Sequence, residues 1–73
     1  MDIRTLTGII IRKDGFYLVG RDPFGRLLWS NSPWDAWRTR RRDHALMVAD
    51  KIGGTRYLFN PVAGQIKRME LKT

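Results

Sequence analysis

Cysteine is missing altogether from this chain, and its absence removes disulfides, thiolate zinc sites and cysteine nucleophiles together. Long apolar runs are missing too. The uninterrupted stretches hold three to five residues, such as Ile9-Ile10-Ile11, far short of the roughly 20 that cross a bilayer. Met1-Asp2-Ile3-Arg4 shows no basic stretch leading into an apolar run, so no export signal is read there. The expectation is a soluble, cytoplasmic protein with no membrane contact. Histidine occurs once, as His44, and acids are scarce, seven Asp and Glu against fourteen Lys and Arg.

That last shortage decides most about partners. A formal charge of +7 on 73 residues attracts polyanions and repels other basic surfaces. The candidates are nucleic acid, DNA or RNA, and acidic proteins. Ten of the fourteen cations are arginines, which grip phosphate or carboxylate through two parallel hydrogen bonds and stack on flat rings. At this length the chain is one domain, 1–73, with a thin core, so a partner chain, including a second copy as a homodimer, is a reasonable source of further stability.

Along the chain, Thr7 to Lys13 carries three consecutive β-branched isoleucines and reads as a strand. Asp14-Gly15 accepts the positive φ angles of a type I′ turn, and Phe16 to Arg21 resumes as a second strand. Asp22-Pro23-Phe24-Gly25 has the residues of a type I turn, leading to a third strand, Leu27 to Ser30. Ser32-Pro33-Trp34-Asp35 starts a helical turn, with Ser as the expected cap and Pro at the first helical position. Arg41 would fall on an apolar stripe made by Trp34, Trp37, Ala45, Val48 and Ile52, so the turn is expected to end before a separate helix begins.

That helix is predicted from about Arg40 to Ile52, because Ala45, Val48, Ala49 and Ile52 recur at helical spacing and Gly53-Gly54 supply a left-handed stop. Thr55 to Asn60 reads as a strand, Pro61 to Gly64 as a loop, and Gln65 to Leu71 as the returning strand. The fold class is therefore α+β, order βββ-α-ββ, a mostly antiparallel sheet with one main helix on one face. The stretch 45–66, with Ala-x-x-Val-Ala-x-x-Ile-Gly-Gly followed by Phe-Asn-Pro-x-x-Gly-x-Ile, resembles small uncharacterised proteins carried by bacteriophages and prophages. The resemblance covers under a third of the chain and implies no activity or site.

Catalytic chemistry finds no foothold. His44 stands among Asp43 and arginines without a serine or a second ligand beside it. Asp14 and Asp22 belong to turns, and no two carboxylates are placed for acid-base work. The glycines complete turns or stop the helix and form no phosphate-cradling loop, so no enzyme activity, cofactor or metal is expected.

The informative segment is Arg38-Thr39-Arg40-Arg41-Arg42, four cations within five residues at the amino end of the helix. The helix dipole disfavours each by about 0.3 to 1 kcal/mol at low salt, so helix stability does not call for them. An anion there would meet both free backbone N–H groups and guanidinium forks. Solvated charge with no partner is the bland alternative. The expected binding set is Arg38, Arg40, Arg41 and Arg42, helped by Arg12, Lys13, Arg21, Arg26 and Arg56. The aromatic side chains exceed what one thin core requires, and Trp34, Trp37, Tyr17 and Tyr57 are the candidates for exposed rings; the sheet face that the helix leaves open would be a stacking platform for bases, a dimer interface or a patch for another protein.

Overall fold

The computed structural model describes residues 7–69. It holds β1 (Gly8–Lys13), β2 (Phe16–Arg21), β3 (Leu27–Ser30), a 3-10 turn (Pro33–Asp35), α1 (Arg42–Ile52), β4 (Thr55–Asn60) and β5 (Gln65–Arg68). All pairings are antiparallel, and the sheet order is β3-β2-β1-β4-β5. This is the expected α+β arrangement. None of the described helices is long and apolar enough to cross a membrane.

The turn chemistry acts where the residues placed it. Asp14 and Gly15 both take positive φ, 54° and 85°, closing the β1–β2 hairpin on the Lys13–Phe16 pair. At the next turn the Asp22 carboxylate accepts the N–H groups of Phe24 and Arg26, while Gly25 N–H donates to the Asp22 carbonyl. α1 ends at Gly53, φ 72°, the left-handed stop the sequence called for.

Helix α1 begins at Arg42, two residues later than the expected Arg40. The cause is a backbone bridge: Ile9 N–H donates to Thr39 carbonyl at 2.7 Å and Thr39 N–H returns to Ile9 carbonyl at 3.1 Å, which holds the chain extended through Thr39. β1 and β2 pair only near their hairpin, at Arg12–Tyr17 and Lys13–Phe16, and then part. The segment from Ala36 to Thr39 bonds to both, since Trp37 N–H donates to Leu18 carbonyl at 2.8 Å. Ser32 does not cap the 3-10 turn with its side chain. Instead Ser30 Oγ accepts Ser32 N–H and donates to Asp35.

Two apolar clusters result, one on each face of the sheet. Ile9, Ile11 and Leu18 meet Ala45 and Ala49 of α1, with Trp37, Val48 and Ile52 alongside. On the far face Ile10, Tyr17, Ala36 and Phe59 form the second cluster, with Tyr57 against it. That face is not open, as the single helix had suggested. Trp34 leaves the helical stripe and packs edge-on to Phe59, centroids 5.2 Å apart, and Ile10 and Phe59 are both 0% exposed. The expected strand beyond Arg68 lies partly outside the described residues, at 70 and 71.

Candidate functional site

The arginine run leaves the sheet where Thr39 stops pairing. Arg38 is still part of the extended segment and lies over Gly8, where an added Cβ would stand 3.4 Å from Arg38 Cβ and 3.8 Å from Cδ. Its stem is therefore half-buried against β1, apart from the rest of the run. Arg40, Arg41 and Arg42 are exposed. Arg41 occupies the cap position of α1 without a side-chain capping bond, its own N–H donating to Thr39 Oγ1 at 3.1 Å.

One acid sits among them. Arg41 Nη2 lies 3.4 Å from Asp43 Oδ2, both groups in solvent. The N–H of His44, and then the charge of Arg41, hold the Asp43 carboxyl below its ordinary value. Such an exposed pair adds little to stability, because water screens both charges. Arg40 and Arg42 make no ion pair with any described residue.

The helping cations do not join this group. Arg12 is on the far face, its guanidinium 5.6 Å from the Tyr17 ring centroid and 6.0 Å from that of Tyr57. Its Nε is buried without a hydrogen-bond partner. Lys13 lies at the opposite end of α1, its Nζ 3.9 Å from where a Gly53 Cβ would be, which suits the negative end of the helix dipole. Arg26 is committed to Asp22 at 2.8 Å and lies over the Phe24 ring, and these bonds hold the Asp22 carboxyl below its ordinary value, the Arg26 N–H being the largest cause. Arg21 lines a groove beside α1, and Arg56 lines another on the opposite flank of the helix.

Arg68, absent from the expected set, is the cross-strand partner of Tyr57 and extends the Arg12–Tyr17–Tyr57 group. The loop length carried the clue. A four-residue connection over 61–64 pairs Asn60 with Gln65 and therefore Tyr57 with Arg68.

The ring candidates divide. Trp34 is 58% exposed despite its contact with Phe59 and an Nε1 bond of 3.3 Å to Pro61 carbonyl. Tyr17 is buried, at 8%, because it belongs to the far-face cluster. Trp37 and Tyr57 are half-buried, Trp37 packing edge-on to His44 at 5.3 Å. The exposed rings that sequence reasoning passed over are Phe16, Phe24 and Trp29, beside turns and on the sheet edge. His44 thus faces a tryptophan, and no three His, Asp or Glu groups converge on a metal position among the described residues. The chain matches no protein-family model, no curated protein and no solved structure.

Proposed function

We propose that this chain binds nucleic acid through phosphate contacts made by Arg40, Arg41 and Arg42, and acts by binding rather than by catalysis. The observation that carries the reading is that these three side chains project into solvent at the helix end where the dipole opposes them, with one weak ion pair among them. The fold makes no use of them. Arg12, Arg38 and Arg68, on the far face with Tyr57, offer further phosphate and stacking contacts to a strand that continues across the sheet.

The test is the salt dependence of binding to duplex and single-stranded oligonucleotides. The logarithm of the binding constant should fall linearly with the logarithm of salt. Replacing all three arginines by alanine should flatten that line by roughly 2 to 3 units, at about 0.9 per lost contact on duplex and about 0.7 on single strands. Melting temperature should stay level or rise slightly, which separates a binding defect from unfolding. Absence of affinity near 50 mM salt would overturn the proposal.

A second reading rests on a hollow lined by Arg41, Asp43, His44 and Met47, where the same run would dock on an acidic protein, as a phage-type accessory or inhibitor would. A pull-down that keeps its partner after nuclease treatment supports this reading over the first.

A further inference from the structure

The two edges of the sheet are built differently. β5 is exposed along its length and carries Lys67 and Arg68, the charges that discourage another strand from pairing there. β3 reads Leu27-Leu28-Trp29-Ser30, has no charge, and leaves Leu28 and Trp29 in solvent. Its outer edge makes no backbone hydrogen bond with any described residue. Only its shortness protects it.

The flanks of α1 differ in the same sense. Toward β5 the groove already has an acid of the chain in its lining, Asp50, together with Arg56. Toward β3 the groove is floored by Leu27, Trp37, Met47 and Val48, with Arg21 and Lys51 among its lining. No described carboxylate lines it. It has room for about 340 Å³, enough for a few side chains. Met47, half exposed on the helix, has no structural reason to face water and would be covered by an occupant.

We propose that the β3 edge and this groove dock an extended, acidic segment of a protein partner. The segment adds as a sixth strand, its backbone pairing with β3 and its inward side chains packing over Leu27 and Met47. Its carboxylates meet Arg21 and Lys51. A second copy of the chain is disfavoured, because it brings a like charge of +7 to a cationic rim. Nucleic acid is disfavoured by the apolar floor and by the outward carbonyls of the strand, for which a phosphate has no donor.

The proposal is tested by titrating the full chain with a blocked peptide of alternating valine and threonine flanked by glutamates, followed by amide NMR. Saturable shifts are expected at Leu27 to Ser30 and along the Met47–Lys51 face of α1. The same peptide flanked by lysines should bind about tenfold more weakly or worse, because it sets like charges against the rim. A version with alternate backbone N-methyl groups should lose binding, since it cannot complete the ladder. Lys51→Glu should erase the preference for glutamate. Arg21→Glu, at an exposed position, gives the same reading if the first variant is unstable.

Four results would overturn the idea: no binding at millimolar peptide, equal binding of the N-methylated peptide, an oligonucleotide that shifts the β3 amides, or a β3-mediated dimer in sedimentation. None of them touches the arginine run, so this proposal and the nucleic-acid reading fail separately.

Discussion

One sheet is sealed on its two faces by unequal means. On the helix face an eleven-residue helix lies close, because the residues turned inward at its centre, Ala45 and Ala49, are small. On the far face a three-residue 3-10 turn, with Trp34 at its middle, and Ala36 serve the same purpose. The segment Ala36–Thr39, wedged between β1 and β2, joins the two, sending Ala36 to one cluster and Trp37 to the other. Burial depends on where side chains are led, and a regular element is only one way of leading them. The far face therefore concentrates its packing in very few residues.

The largest expected effect follows from that concentration. Phe59→Ala should destabilise the fold by about 3 to 5 kcal/mol, measured by chemical denaturation, because Phe59 is fully buried and no helix is present to relax into the space. A loss near 1 kcal/mol would show that the far face is a decorated surface, and the symmetry of the two clusters would be lost.

On the helix face the corresponding pressure point is Gly54. An added Cβ there would stand 2.7 Å from Ile11 Cγ2 and 3.2 Å from the Arg12 carbonyl oxygen. The backbone atom cannot give way. Gly54→Val should therefore lower stability by about 1 to 3 kcal/mol through overpacking, whereas Gly53→Val, with only Lys13 Nζ in ordinary contact at 3.9 Å but a φ of 72°, should lose about 1 to 2 kcal/mol through backbone strain. An unchanged melting temperature for Gly54→Val would mean that α1 sits farther from β1 than described.

Trp34→Ala sharpens the comparison from the other side. The ring is more than half exposed, so its burial is modest, and the edge-on contact with Phe59 is worth about 0.5 to 1.5 kcal/mol beyond area. The expected loss is about 1 to 2 kcal/mol in denaturant titration, accompanied by new solvent exchange at Phe59. A loss equal to that of Phe59→Ala would make Trp34 the keystone of the far face and not its lid.

Much of this comparison could be read in the residues before any coordinates. The positive-φ pair Asp14-Gly15, the Asp22 turn, the Gly53 stop and the helical spacing of Ala45, Val48, Ala49 and Ile52 are local signals, and local signals fix elements. The seal on the far face was not legible, because it depends on a long-range event: β1 and β2 part and admit the Trp37–Thr39 backbone. No residue between 34 and 40 announces that insertion. The same event moved the helix start from Arg40 to Arg42 and sent Trp34 and Trp37 to opposite faces. Of the candidate site, exposure of Arg40, Arg41 and Arg42 follows from their charge, but the scatter of Arg12, Lys13, Arg21, Arg26 and Arg56 follows from strand register. Arg68 entered the picture only with the pairing of β4 and β5.

The smallest expected effect concerns Arg12, whose guanidinium lies beside both far-face tyrosines. Two opposing contributions meet there. Its guanidinium is near the Tyr17 and Tyr57 rings, and each such contact is worth about 0.5 to 1 kcal/mol. Against this, its Nε is buried with no acceptor, and an unsatisfied buried donor costs about 1 to 3 kcal/mol. Arg12→Met keeps the unbranched stem against the rings, removes the unpartnered donor and gives up the cation. The contributions nearly cancel, so denaturation should register a change within about 1 kcal/mol of zero, of either sign. Binding should respond more than stability. If the far face carries a nucleic-acid strand beside Tyr57, the salt slope on single strands should fall by about 0.7 in this variant. A loss of more than 2 kcal/mol in stability would instead show that Arg12 belongs to the far-face core as a structural strut. An unchanged slope would confine nucleic-acid contact to the helix end, and the far face would then be sealed without serving any ligand.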